Sequence, residues 1–105
     1  MFLSPFQHQV AEFVFRYKLE IPANNRLLDL TSEVGELAKQ LLKNTDYGNQ
    51  DFCPTPAWMD ELGDVFFALI CLANSTDVNM LDALTSTLAK YQARIESQGE
   101  VGSGK

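Results

Sequence analysis

The sequence contains no apolar run of the roughly 20 residues that a membrane-spanning helix requires. Its N-terminus has no basic segment followed by an apolar one, so we expect no secretion signal. Basic residues are also few: eight Lys and Arg against fourteen Asp and Glu give a net charge of −6. Because nucleic-acid and membrane surfaces are bound by clustered basic residues, and these eight are scattered, we expect no DNA, RNA or membrane partner.

Histidine and cysteine are scarce as well. His8 is the single histidine, which excludes a histidine-based metal site built from one chain. Cys53 lies in a loop and Cys71 lies in an apolar run, and the two do not have a metal-binding spacing. The sequence therefore indicates reduced cysteines and a cytoplasmic protein.

Alternating strand patterns are absent, and apolar residues instead recur every three or four positions. Ser4-Pro5 and Thr55-Pro56 each place a capping residue before a proline at the first helical position. A chain of 105 residues is long enough for one domain. The patterns predict an all-α, four-helix bundle-type domain over residues 1–98 and a flexible glycine-rich tail over residues 99–105. The helices are expected at about residues 5–19, 24–44, 56–74 and 79–98.

The third predicted helix is apolar on nearly every side beyond Asp64. A helix of this kind must be covered on all sides, yet a chain this short buries only roughly 60–70 % of its unfolded surface. The fourth helix is expected to turn an apolar face inward, formed by Leu81, Leu84, Leu88, Tyr91 and Ile95. We therefore expect homo-oligomerisation to complete the bundle.

Two matched acidic pairs stand out in the second and third helices. Glu33-Val34-Gly35-Glu36 and Glu61-Leu62-Gly63-Asp64 share the pattern acid-x-Gly-acid, with 24 residues between Glu36 and Glu61. Residues three apart are neighbours on a helix surface, and both pairs lie beside an apolar stripe. Glycine inside a helix costs roughly 1 kcal/mol relative to alanine, so its presence at the same place in both pairs indicates a close approach of backbone or ligand.

These pairs have two interpretations. They are either solvated acidic clusters on ordinary amphipathic helices, or four carboxylates that meet between facing helices. In the second case their mutual repulsion requires a compensating cation, and a hard divalent ion with oxygen ligands suits them. Bundle helices are known to hold metal sites between them.

Together with their surroundings, these motifs resemble the MazG-like all-α nucleotide pyrophosphohydrolases. The similarity includes Leu30-Thr-Ser-Glu-Val-Gly-Glu-Leu, Asp60-Glu-Leu-Gly-Asp-Val-Phe-Phe-Ala-Leu and Lys90-Tyr-Gln-Ala-Arg94. The resemblance implies Mg²⁺-dependent hydrolysis of a (deoxy)nucleoside triphosphate to the monophosphate and pyrophosphate, with Mn²⁺ as a possible substitute. It also implies a homodimer or homotetramer and a role in removing non-canonical or excess nucleotides.

The resemblance also implies roles for individual residues. Glu33, Glu36, Glu61 and Asp64 would bind the metal, Glu36 would act on the attacking water, and Lys90 and Arg94 would contact phosphates. Trp58 is a candidate for stacking on the base, although buried aromatic residues usually serve packing. Lys90 and Arg94 could equally form a solvated basic edge. The alternative function is a non-catalytic helical oligomerisation module with a structural acidic cluster.

Overall fold

The computed structural model describes residues 3–102. The first two residues of the predicted domain and the last three of the predicted tail lie outside this range. The described residues form four helices and no strand: α1 (Pro5–Arg16), α2 (Ala23–Asn44), α3 (Pro56–Ser75) and α4 (Met80–Gln98). The all-α prediction is confirmed, and the helix ends lie within three residues of the predicted ones.

Local hydrogen bonds explain where the helices begin and end. Helix α1 stops three residues earlier than predicted, because Lys18 adopts a left-handed conformation at φ 54° and Leu19 N–H then donates back to the Val14 carbonyl at 2.9 Å. The Thr55 hydroxyl accepts from Trp58 N–H at 3.2 Å and caps α3. The Asn79 side chain accepts from Asp82 N–H at 2.9 Å and caps α4 in the same way.

Helix α3 is the centre of the packed part of the chain. Helix α2 packs along it extensively, and α1 packs against it as well. Among the described residues, the buried apolar side chains all come from the second half of α3, namely Ala68, Ile70, Cys71 and Ala73. Aromatic contacts join α1 to α3, with ring centroids 5.4 Å apart for Phe6 and Phe66 and 6.2 Å apart for Phe13 and Phe67. This packing sets the second and third helices, and therefore the two acidic pairs, side by side.

Helix α4 leaves this packed unit. It is bent by 100° relative to α3 and makes few contacts with the other helices. Its expected inner face is open, because Leu81, Leu84, Leu88 and Ile95 are each more than half exposed. The radius of gyration is 16.9 Å, against about 13 Å for a compact domain of this length. One chain therefore does not close a four-helix bundle.

Within residues 3–102, no single helix is both long and apolar enough to cross a membrane. Helices α3 and α4 meet those criteria only when taken together as a bent pair.

Candidate metal centre

Three carboxylates converge where α2 meets α3. Glu33, Glu61 and Asp64 each offer an oxygen atom, and these three atoms lie within 4.8 Å of one another. Glu33 comes from α2, while Glu61 and Asp64 are one helical turn apart on α3. The 3.6-residue helical repeat turns the last two toward the same side, and the packing of α2 on α3 brings Glu33 to them. The structure thus brings together three of the four residues predicted as metal ligands.

The environment of Glu33 disfavours negative charge. Burial raises the pKa of this carboxyl, and repulsion by Asp64, Glu61, Glu36 and Asp29 raises the pKa further. Every charged neighbour that shifts the Glu33 pKa upward is another carboxylate. A cluster of this composition favours binding a cation, because a positive charge offsets the repulsion between the carboxylates and stabilises their ionised form.

Glu61 provides an independent test of whether a metal fits. Its Oε2 atom is buried and has no hydrogen-bond partner among the described residues. A buried carboxylate oxygen without a partner costs free energy, since it has lost water and gained nothing in return. A divalent cation bound by carboxylate oxygens supplies the missing partner. The residues present therefore fit a metal ion.

Glu36 lies one turn beyond Glu33 on α2 and is exposed. It is near enough to raise the Glu33 pKa by repulsion, but its oxygens are not part of the three-residue group. Asp29, one turn before Glu33, exerts the same kind of repulsion and was not singled out from the sequence. The acid-x-Gly-acid spacing could not reveal it, because Asp29 stands outside that pattern.

The two predicted phosphate ligands lie on the divergent helix. The Lys90 ammonium lies 5.3 Å from the centroid of the Tyr91 ring, and an Arg94 guanidinium N–H donates to the Val101 carbonyl at 3.0 Å. Counting 1.5 Å per residue, Asp64 is about 16 Å from the end of α3 and Lys90 about 15 Å from the start of α4. For ideal helices that meet at the 100° bend, these lengths correspond to a Cα–Cα distance of about 20 Å. A lysine or arginine side chain cannot span this gap.

Trp58 lies near the start of α3, one turn before Glu61, and is half-buried. Its ring packs edge-to-face on Phe52 at a centroid distance of 5.0 Å. Phe52 belongs to the α2–α3 loop, which Asn44 ties down by donating to the Cys53 carbonyl at 2.6 Å and accepting from Cys53 N–H at 2.8 Å. The structure thus gives Trp58 a packing partner and leaves part of its surface exposed.

Gly35 and Gly63 lie at the level of the carboxylates. A Cβ atom added to either would meet no atom within 4 Å, apart from its immediate helical surroundings. The close approach expected from these glycines therefore does not come from residues 3–102 of this chain. If they accommodate a neighbour, that neighbour is a substrate or a second copy.

Comparison with known proteins agrees with this geometry. A family model described as the MazG nucleotide pyrophosphohydrolase domain matches residues 23–98, which span α2 to α4. The chain belongs to the MazG family. That places it among hydrolases that act on the pyrophosphate bonds of nucleotides. The match includes the two acidic pairs, the two basic residues and Trp58, whereas α1 lies outside it.

Two further comparisons point to the same relative. This chain is 38 % identical over 68 residues to YpjD, an uncharacterized protein of Bacillus subtilis (strain 168). The alignment covers 62 % of this chain and 60 % of that relative. The crystal structure of YpjD from Bacillus subtilis, provisionally described as a pyrophosphatase, superposes with a TM-score of 0.71 at 29 % identity. That superposition covers 90 % of this chain and 96 % of the YpjD chain.

Proposed function

We propose that this protein is a Mg²⁺-dependent nucleoside triphosphate pyrophosphohydrolase that removes non-canonical or excess (deoxy)nucleotides. Its reaction converts a (d)NTP and water to the (d)NMP and pyrophosphate. The observation that carries the proposal is the convergence of Glu33, Glu61 and Asp64 around a buried oxygen without a partner, within a MazG domain. Mn²⁺, which also takes oxygen ligands, is expected to substitute for Mg²⁺.

Charge balance explains why this site needs both a metal and basic residues. A triphosphate is strongly anionic, and the bare carboxylate cluster would repel it. Glu33, Glu61 and Asp64 would hold Mg²⁺, with Glu36 as a further oxygen ligand. When bound, Mg²⁺ polarises the α-phosphoryl group and lowers the pKa of a water molecule.

Other residues then act on the substrate directly. Glu36, exposed one turn from Glu33, orients the attacking water or accepts its proton. Lys90 and Arg94 are four residues apart on one face of α4, so both can pair with the departing pyrophosphate and compensate its charge. The open part of Trp58 offers a stacking surface for the base.

The test of this proposal is product identification. The protein is incubated with a panel of NTPs and dNTPs with Mg²⁺ or with a chelator, and the products are separated. We expect monophosphate and pyrophosphate in equal amounts, and no turnover with the chelator. Glu36→Gln and Glu61→Gln should abolish turnover in a folded protein, whereas Asp60→Asn, the exposed acid beside Glu61, should retain it. Absence of turnover on every nucleotide would refute the function and favour a non-catalytic module.

The proposed enzyme is a homo-oligomer whose minimal unit is a dimer. Two apolar surfaces of one chain support this part of the proposal. The open face of α4 is one, and a groove of about 470 Å³ between α3 and α4 is the other, lined by Phe6, Phe66, Leu69, Met80, Leu81 and Leu84. Exposed apolar patches of this kind are typical of protein–protein interfaces. A second copy would cover both, because each copy brings the same two surfaces to a two-fold contact.

A dimer also accounts for the distance between the carboxylates and the basic pair. Because helix geometry sets Lys90 about 20 Å from Asp64 in one chain, we place the proposed phosphate contacts on α4 of a second copy. Each site would then combine the acidic cluster of one protomer with Lys90 and Arg94 of its partner.

Mixing two inactive variants tests this arrangement. Glu61→Gln and Arg94→Ala are prepared separately, unfolded together and refolded at equal concentrations. If the basic pair comes from the partner, each mixed dimer has one intact site, and about a quarter of the parental activity should return. If the acidic cluster and the basic pair of each site come from the same protomer, every site carries either Glu61→Gln or Arg94→Ala and none is intact. No recovery beyond that of either variant alone would refute the shared site.

A further inference from the structure

Gln7 is the one large side chain among the described residues that is fully buried, with 0 % exposure. It lies in the first turn of α1, outside the part of the chain that matches the MazG domain. A buried amide is costly unless its donors and acceptor are satisfied. The hydrogen bonds of Gln7 therefore indicate what this part of the fold requires.

Both polar atoms of the Gln7 amide bond to the segment where α3 ends and α4 begins, and the oxygen also bonds to Ser4. Its Nε2 donates to the Asn74 Oδ1 atom at 3.0 Å and to the Val78 carbonyl at 2.7 Å. Its Oε1 accepts from the Ser4 hydroxyl at 2.9 Å and from Met80 N–H at 2.7 Å. Asn74 Nδ2 in turn donates to the Gln7 carbonyl at 3.1 Å. We call this group of bonds the Gln7 clamp.

The clamp holds the junction between α3 and α4. Asn74 is in the last turn of α3, Val78 is in the connecting turn, and Met80 is the first residue of α4. Because α4 makes few other contacts with the rest of its own chain, the junction is the main feature within one protomer that fixes its direction. The clamp ties that junction to α1, which itself packs on α3.

Small changes at this junction have large effects at the far end of α4. Lys90 is about 15 Å and Arg94 about 21 Å along the helix from Met80. A rotation of about 20° at the junction would displace their Cα atoms by about 5 and 7 Å. Displacements of only about 1 Å can cost a hundredfold in rate when they affect groups that contact a reacting substrate.

We propose that Gln7 is a positioning residue for phosphate binding: it fixes the direction of α4 and so determines where Lys90 and Arg94 meet the substrate. This inference rests on the proposed function for the role of the two basic residues. The Gln7 side chain is fully buried, and none of its hydrogen bonds goes to a carboxylate of the cluster. Its effect is therefore expected on substrate binding and turnover and not on metal binding.

Kinetics of Gln7→Glu test the inference. The substitution keeps the length of the side chain and its acceptor oxygen, but removes both donors and sets a carboxylate against the Asn74 and Val78 oxygens. We expect KM for the nucleotide to rise about tenfold or more, while Mn²⁺ affinity measured by calorimetry changes by less than about twofold. Ile70→Val is the matched control, since it loosens the buried core of α3 without touching the clamp. A KM for Gln7→Glu equal to that of Ile70→Val would overturn the inference.

A distance measurement tests the clamp without relying on activity. Spin labels are attached at Ser32→Cys on α2 and Ser86→Cys on α4, both exposed, in a Cys53→Ser background diluted with unlabelled protein. We expect a narrow distance distribution for the parent and a shift or broadening of several Å for Gln7→Glu. An unchanged distribution would overturn the inference. If the parent turns over no nucleotide, the proposed function fails, and this measurement still decides whether Gln7 directs α4.

Ser4→Ala keeps the test decisive if Gln7→Glu does not fold. It removes one bond to Gln7 Oε1 and leaves the bonds to Asn74, Val78 and Met80 in place. We expect changes in KM and in the label distance in the same direction as for Gln7→Glu, but smaller. If KM and the label distance of Ser4→Ala both equal those of the Ile70→Val control, the inference is overturned.

Discussion

Removing one negative charge from the acidic cluster should stabilise the protein when no metal is bound. In Glu61→Gln the side chain keeps its shape, loses its charge and gains an amide that can donate to Glu33 or Asp64. Carboxylate oxygens less than 4.8 Å apart repel by about 1 kcal/mol per pair in a water-like medium and by about 3 kcal/mol at an effective dielectric constant near 20. Glu61 has two such neighbours, so we expect a gain of at least about 2 kcal/mol.

The assay is thermal unfolding at fixed protein concentration, with a chelator and with Mg²⁺. A gain of about 2 kcal/mol corresponds to an increase of about 10 °C in Tm for a chain of this length. With Mg²⁺ at a hundred times its dissociation constant, the parent should gain about 2.7 kcal/mol, because the metal binds only the folded state. The variant should gain little, since it has lost one ligand. When Mg²⁺ is added, the Tm of the parent should therefore come close to the Tm of Glu61→Gln or exceed it.

Asp60→Asn separates this effect from that of net charge. Asp60 precedes Glu61 and is exposed, so its substitution changes the charge of the chain by the same amount without entering the cluster. We expect a small change in Tm and an undiminished response to Mg²⁺. If Glu61→Gln and Asp60→Asn behave alike both with and without the metal, Glu61 is an ordinary solvated acid and the metal centre is refuted.

Three further substitutions test the interface and the helices. Leu88→Asp should convert the oligomer to a monomer in analytical ultracentrifugation, whereas Ser86→Asp, on the opposite side of α4, should not. An unchanged mass for Leu88→Asp would rule out this face of α4 as the interface. Gly35→Ala should raise the stability of the metal-free protein by about 1 kcal/mol, and a decrease would show that a close neighbour already fills the space. Thr55→Ala should lower stability by about 1 kcal/mol through loss of the α3 cap, which denaturant unfolding would detect.

The parts of this molecule that follow from local sequence were predictable. Three- and four-residue periodicity located the four helices, and Thr55 caps α3 as its place before Pro56 predicted. The spacing of the acidic pairs left two interpretations open, and the convergence of Glu33, Glu61 and Asp64 agrees with the one in which helical geometry and the adjacent apolar stripes bring the carboxylates together. These features depend on the nearest helical turns and on one helix contact.

Features that depend on distant parts of the chain were not predictable. The direction of α4 is set at its junction with α3, and the contacts of Gln7 there join residues 67 to 73 positions apart. A single glutamine in an amphipathic helix gives no sign in the sequence that it will be buried. The open face around Leu84 and Leu88 was expected to turn inward, because periodicity identifies an apolar face without showing which molecule covers it.

The central claim is that the carboxylates of this site direct water to the α-phosphorus of a nucleoside triphosphate. Turnover in water enriched in the heavy oxygen isotope, with Mg²⁺ present, tests that claim most directly when both products are analysed by mass spectrometry. The account predicts one labelled oxygen in the nucleoside monophosphate and none in the pyrophosphate. Label in the pyrophosphate, formation of diphosphate and inorganic phosphate, or no turnover of any nucleotide would contradict it.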